Sequence, residues 1–511
     1  MGVNDSPLAR SKLTFATKFA FGVGQSAEGI QNAALGTFLM FYYNQVLGLS
    51  PGWVSLAIGT AVIIDALTDP LAGSLSDYWR GRLGRRHPFM YAAALPLAVC
   101  FFLLFFPLVS GDIALTIWLA VFANLTRTAM TLYHVPHIAL GAEMSNDFNE
   151  RSSLVAFRMF FTTAGAMVTS LVGFSVFFVA TTEFPKGQLN PAAYPPFAAL
   201  FALIMFITII WSAWGTQHLI PLLPKAKEVV RMNVAAIFSR LFSDIASAMQ
   251  NYSFRWLFGG VLIVYVMVGV DGALGLYMNT YFWELSGPQI AALVPAYTLG
   301  LMAGSMIAPW FSGYFGKRFA VMFGTTCWGS LQIIPVVLRL FDMFPDNGSD
   351  LLVPVLFVIR VVQGLGTVQA NVAFGSAVAD IADEHELRTG KRQEGIFFAA
   401  SSFSAKCASG VGSIGAGIGL WAIDWPQGKS ITSAADVPAQ TLMELGILYG
   451  PIVAGCAVIA VWCYSHHRLT RERHAEILAE LQLRKQTADT ADERTPLSAA
   501  DSAAAASATA H

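Results

Sequence analysis

The sequence predicts an all-α membrane protein whose twelve transmembrane helices form two six-helix bundles, and three observations predict it. Of 511 residues, 55% are hydrophobic and only 12% charged, about half the charged share of an ordinary soluble domain. The apolar residues gather into stretches of about 20 or more, the length that takes a helix across roughly 30 Å of hydrocarbon. A polar stretch at 218–255 separates six such runs from six more.

The expected spans are 17–46, 53–77, 88–110, 113–140, 153–181, 196–216, 257–283, 288–314, 319–342, 351–380, 394–422 and 441–465. This divides the chain into a first bundle (1–217), a linker (218–255), a second bundle (256–467) and a tail (468–511). The tail opens as a charged helix from Arg471 to Lys485 and ends in an Ala/Ser-rich run, 498–511, too poor in apolar bulk to fold. Gly36–Ser50 can be laid over Gly272–Ser286, a weak internal repeat. Repeats of this kind suit a carrier that binds its solute between two halves.

Lysine and arginine set the orientation, because basic loops stay on the cytoplasmic side. Of the 31, 24 fall in loops on the side of the N-terminus, only Lys186 and Lys429 on the other, and five within spans. Both ends are therefore expected in the cytoplasm. The net charge of -1 lacks the basic excess of a polynucleotide-binding protein. Nucleic acid is excluded as a partner. Cys100, Cys327, Cys407, Cys456 and Cys463 lie in apolar runs without paired spacing and read as buried free thiols. No P-loop, nucleophile elbow or metalloprotease helix is present. An enzyme lacks a site, and neither a cofactor nor an obligate protein partner is indicated.

Charged side chains inside spans cost on the order of 2.5–3.5 kcal/mol each on insertion scales, so each needs a partner or a water-filled cavity. In the second span Asp65 and Asp69 stand four residues apart on one helix face. A bound cation or a shared proton relieves their repulsion; a structural ion pair with a neighbouring arginine is the alternative. The equivalent stretch of the second half, around Leu301 and Ser305, has no acid, so the fold does not demand the pair. Arg127, Thr131 and His134 form one stripe of the fourth span, and His134 with His137 has the spacing of a metal pair but lacks further ligands. Gln25, Glu28 and Asn32 form another stripe, for a ligand or for interhelical bonding. Lys406 should seek a carboxylate from Asp65, Asp69 or Asp271. The candidate solute-binding residues are Gln25, Glu28, Asn32, Arg127, His134, Arg158, Asp271 and Ser402. The glycines at 410, 412, 415, 417 and 419 suit close helix packing or bending rather than a phosphate loop.

Phe41–Ser50, the run Asp65-Ala66-Leu67-Thr68-Asp69-Pro70 with Asp77 and Gly84-Arg85-Arg86-His87-Pro88, Pro136 with Gly141-Ala142-Glu143, Glu150-Arg151, Asp380 with Arg388-Thr389-Gly390-Lys391-Arg392, and Glu394-Gly395 leading to Lys406 together resemble the glycoside-pentoside-hexuronide:cation symporters of the major facilitator superfamily. The resemblance runs almost end to end. It implies the major facilitator fold, a cation site at Asp65 and Asp69 with Thr68 and Thr131 nearby, and a coupling lysine at Lys406. It also implies a cytoplasmic gate from Asp77, Arg85 and Arg86 in one half and Asp380, Arg388 and Arg392 in the other. The pattern departs at the sugar site. His134 stands where the family's melibiose permease has a sugar-binding acid, Ile138 where it has a stacking tryptophan, and Gly29, beside Glu28, where it has a first-helix acid.

The expected function is secondary active symport of a sugar- or glycoside-like solute with H+ or Na+ by alternating access, in the plasma membrane. A lipid or amphiphile carrier on the same fold is the alternative; a membrane sensor or scaffold acting through its tail is the other.

Overall fold

A computed structural model describes residues 12–223, 234–390, 394–428, 431, 433–467 and 471–493, which contain helices and no strand. Among them, ten helical stretches are long and apolar enough to cross a membrane. These include α3 (Pro51–Tyr78), α4 (His87–Leu104), α5 (Asp112–Glu143), α6 (Phe148–Val172), α7 (Tyr194–Thr216), α9 (Tyr252–Tyr277), α10 (Gly287–Phe315), α11 (Lys317–Leu340) and α12 (Leu352–Thr389). The tenth pairs α14 (Ala439–Tyr449) with α15 (Pro451–Ser465), broken at Gly450 where Pro451 starts a new first turn.

The two other expected spans are helical but irregular or diluted. The first is divided into α1 (Phe15–Gly24), α2 (Ser26–Ala33) and wide π-helical turns at Ala34–Leu39 and Tyr42–Val46. The eleventh, α13 (Glu394–Ala422), carries many glycines and serines along with Lys406. Two boundaries move. α4 stops at Leu104 rather than near 110, because Pro107 disfavours helical geometry in the residue before it. α12 runs nine residues past 380 through good helix formers, and Gly390 ends it in the left-handed conformation (φ 71°). The linker contains a helix, α8 (Val234–Ala248), and the tail contains α16 (Arg471–Glu493), whose Ile477 and Leu481 pack on Leu387 of α12. The expected disordered end, 498–511, lies outside the described residues.

Helices α1 to α7 pack chiefly on one another, as do α9 to α15; the halves meet mainly along α3 with α13 and α6 with α10. Small residues permit this closeness. A β-carbon added to Gly59 of α3 would lie 2.7 Å from the carbonyl oxygen of Gly410 of α13. Within each half a reciprocal pair does the same: Gly29 on Thr162 and Gly165 on Ser26 in the first, Gly269 on Ser409 and Gly412 on Val266 in the second. The glycine run of α13 thus splits its faces, with Gly410 and Gly417 toward α3 and Gly412 toward α9.

The internal repeat is visible in the backbone. After Tyr42–Val46, Leu47 N–H bonds Tyr42 O and Leu49 N–H bonds Tyr43 O; after Met278–Phe282, Trp283 N–H bonds Met278 O and Leu285 N–H bonds Asn279 O. The left-handed residue is Gly48 (φ 83°) in one turn and Glu284 (φ 51°) at the matching place in the other. A non-glycine residue is uncommon in that region, so the same turn geometry overrides residue preference in the second half. Of the five cysteines, all free, Cys463 is buried and the other four are half-buried, less enclosed than expected.

Candidate functional site

A hollow of about 660 Å³ lies between the halves, within the range that encloses small ligands. α3 presents Asp65 and Asp69 to it one helical turn apart, α5 presents Arg127, Thr131 and His134, and α13 presents Lys406. Lys406 Nζ donates to Asp65 Oδ2 at 3.0 Å and to Asp69 Oδ2 at 2.6 Å. Thr131 Oγ1 donates to Asp65 Oδ1 at 2.5 Å and stands 3.3 Å from Asp69 Oδ1. One ammonium of the second half is therefore held by two carboxylates of the first. Arg127 Nη1 is 3.9 Å from Asp65 Oδ2, an ion pair too long for a hydrogen bond. The Asp69 side chain is 29% and Lys406 34% accessible, against 11% for Asp65, so an ion entering the hollow meets Asp69 first. Thr68 is not among the residues lining the hollow; its hydroxyl donates to the Asp65 carbonyl of its own helix at 3.0 Å.

Glu28, Asn32 and Ser402 also line the hollow, whereas Gln25 and Arg158 do not. Gln25 is fully buried behind Glu28, to which its Nε2 donates, and that nitrogen is 2.9 Å from His134 Nδ1. His134 Nδ1 is 3.5 Å from Glu28 Oε2. His137 turns away, stacked on Phe21 at 4.3 Å with its Nε2 2.9 Å from the Phe21 carbonyl. The two histidines therefore do not form a metal pair, and among the described residues no group of three or more potential metal ligands is assembled. A β-carbon at Gly29 would lie 2.0 Å from the Thr162 carbonyl. No acid fits there, and Glu28 is the first-helix carboxylate that reaches the hollow.

A second hollow, about 510 Å³, is lined mostly by the second half, with Thr37, Ser170 and Phe174 of the first, and shares Val261, Tyr265, Val268, Gly272 and Phe374 with the other hollow. Asp271 belongs here, away from Lys406. Its Oδ1 accepts from Tyr449 Oη at 2.5 Å and Gln332 Nε2 at 2.7 Å; Gln363 Nε2 donates to Gln332 Oε1 at 2.8 Å, and Arg360 Nη1 to Gln363 Oε1 at 3.0 Å. These partners went unassigned in the sequence reading. Arg360 and Gln363, at i and i+3 on α12, were the available signal, but uncharged Gln332 and Tyr449 give none.

The end of the molecule away from the basic loops is tied across the halves. Tyr277 Oη donates to Asn44 Oδ1 at 2.7 Å, Tyr281 Oη to Gln45 Oε1 at 2.6 Å, and Gln188 Nε2 to Thr280 Oγ1 at 3.0 Å. Trp425 packs edge-on against both tyrosines. Lys186 Nζ caps the Glu284 carbonyl; burial lowers its pKa, with Glu284 pulling the other way. The basic end carries pairs that stay within one half. Arg86 binds Asp77 at 2.5 Å and Glu143 at 2.7 Å, and Arg85 binds Glu143 at 2.8 Å. Asp380 pairs with Lys317 at 2.6 Å, and His474 of the tail helix lies 3.5 Å from it. Of the partners expected for Asp380, Arg388 is exposed, and Arg392 lies outside the described residues. Lys317, which pairs with Asp380, begins the neighbouring helix α11.

Residues 20–471 match a family model described as MFS/sugar transport protein. The inner membrane symporter YicJ of Escherichia coli (strain K12) is 25% identical over 466 residues, covering 90% of this chain and 92% of that protein. An isoprimeverose transporter of Lactiplantibacillus pentosus is 22% identical over 476 residues, covering 92% and 93%. Among solved structures, the nucleoside transporter NupG aligns with a TM-score of 0.58 at 12% identity, over 89% of this chain and all of that one. That likeness extends to the fold alone.

Proposed function

The chain belongs to the MFS/sugar transport protein family, and from that premise we propose that it couples entry of a sugar- or glycoside-class solute to a cation moving down its gradient. It is an integral membrane transporter of the major facilitator fold and not an enzyme. Its basic loops face the cytoplasm in this reading, with the hollow closed toward the outside and both ends of the chain inside. The observation that carries the mechanism is Lys406 held between Asp65 and Asp69 across the two halves.

Two carboxylates this close repel, and the ammonium offsets that repulsion when no ion is bound. A proton or sodium ion arriving at Asp69 takes over this role, with Asp65 and Thr131 completing an oxygen-rich site. Lys406 is then released from α3, and the hold between α3 and α13 at that level weakens. Opening the outer end therefore goes with cation occupancy. The solute, bound by Glu28, Asn32, His134 and Ser402, must tighten the cation by the same factor by which the cation tightens it. A carboxylate, an amide and an imidazole from the first half with a hydroxyl from α13 suit a hydroxylated solute rather than an acyl chain. The Asp77–Arg86–Glu143 network lies within the first half and is intact with the outer end closed, so the expected breaking of these pairs on inward rocking is not part of this reading.

Uptake into proteoliposomes under separate Na+ and pH gradients tests this reading. Asp69→Asn should abolish uphill accumulation while retaining exchange of solute across the membrane. Gradient-driven accumulation at the wild-type level by that variant would overturn the cation-site assignment.

A further inference from the structure

The linker helix α8 lines neither hollow and takes no part in the cation pair, yet it touches both halves. Its sequence is two-faced. Ile237, Leu241, Ile245 and Ala248 recur at helical spacing, with Ser239, Ser243 and Ser247 on the opposite side. The end of α8 nearest α9 is fixed in the second half. Ala248 is buried in an apolar cluster with Phe254 of α9, Ile381 of α12 and Phe397 of α13, and Ile245 and Met249 pack against that cluster. At the turn into α9, Asn251 Oδ1 accepts from the Phe254 N–H at 2.9 Å and its Nδ2 donates to Glu384 Oε2 of α12 at 2.8 Å. Ile237 and Leu241 continue the apolar stripe beyond this anchorage.

Earlier along α8, Phe242 meets Phe403 of α13 edge-on, with ring centres 6.2 Å apart. Phe403 precedes Lys406 by one turn, and α13 starts at the basic end of the molecule, so this contact lies on the basic-loop side of the Asp65–Lys406–Asp69 group. α8 also rests on α3, the helix of the first half that carries both aspartates. A helix seated on both halves keeps both contacts in one arrangement only. Rocking that closes the inner face changes the angle and spacing between the inner ends of α3 and α13, and α8, anchored at Ala248 and Asn251, then leaves α3. A contact made in one state alone shifts the balance toward that state.

We propose that α8 is a brace between the halves: its seat on α3 stabilises the form with the outer end closed and is given up when the outer end opens. The proposal rests on the transport reading above only in requiring that the halves rock, and holds for either coupling ion and any solute.

The test uses the full-length chain without its five native cysteines, in proteoliposomes. Outer opening is read by fluorescence transfer between dyes on non-natural residues replacing Glu183 and Asp350, in outer loops of the two halves. Addition of Na+ or acid drives the change. One variant carries Ser239→Cys with Leu75→Cys, joining α8 to α3; another carries Ser239→Cys with Ala399→Cys, joining α8 to α13. All three positions are exposed. Each pair is linked by the shortest bis-thiosulfonate reagent that spans it. The link to α3 should lower the outer-open fraction by at least about fivefold, and reductant should restore it in the same sample, which excludes misfolding as the cause. The link to α13 should leave that fraction within about twofold of the unlinked protein. A separate variant, Ile237→Ser with Leu241→Ser, should raise the outer-open fraction about threefold before any cation is added. Unhindered opening with the α3 link, equal blockage by both links, or an unchanged fraction in the double serine variant overturns the brace. If neither Na+ nor acid moves the outer loops of the unlinked protein, the rocking of the halves itself falls, and the brace with it.

Discussion

The two halves handle their intramembrane acids in opposite ways. In the first, Asp65 and Asp69 reach across the interface to a lysine of the other half; in the second, Asp271 is bound by Tyr449 and Gln332 of its own half. A charge neutralised from across a moving interface can be released when the interface moves. One held by hydrogen bonds inside a single bundle travels with that bundle. The first arrangement suits a coupling ion and the second a fixed recognition group.

The largest expected effect breaks the exchangeable side of this comparison. Lys406→Gln removes the ammonium and leaves two facing carboxylates, and accumulation against a gradient should fall by more than about tenfold. Binding of the coupling cation should tighten at the same time, since its competitor is gone; isotopic uptake together with cation titration checks both. Next, Tyr449→Phe takes one hydrogen bond from the fixed acid. Thermal unfolding should show a loss of about 1–3 kcal/mol while the accumulation ratio stays within twofold of wild type. A loss of coupling in that variant would erase the distinction between the halves. The smallest effect belongs to the closed end: Tyr281→Phe forfeits its bond to Gln45, worth about 1 kcal/mol, and should shift the balance about fivefold toward the outward-open form. Spectroscopic distances between labels on the outer loops report that shift.

Much of this was legible in the sequence, for reasons specific to particular residues. Hydropathy marks α3 through α7 and α9 through α12 because lipid demands it at every turn. It could not show that the first span breaks into π turns at Ala34–Leu39 and Tyr42–Val46, since a shifted hydrogen-bond register leaves no compositional trace. Asp65 and Asp69 stand out because charge is rare in a span. The choice of Lys406 for them over Asp271 stayed open because helix adjacency across the halves is not written in either helix. Gln332, Gln363 and Tyr449 are ordinary residues individually and become a network only when α11, α12 and α14 are brought together.

The glycine seam between α3 and α13 bears on how the molecule moves. At Gly59 the surface of α3 is flat, Ile414 lies directly over it, and the Gly410 carbonyl comes within van der Waals range of where a side chain would begin. The Ile414 side chain fills the notch that Gly59 leaves, so the two backbones sit close because one helix offers a hole where the other offers a knob. Even one methyl group at Gly59 would meet Ile414 and the Gly410 carbonyl at less than 3 Å and force α3 and α13 apart.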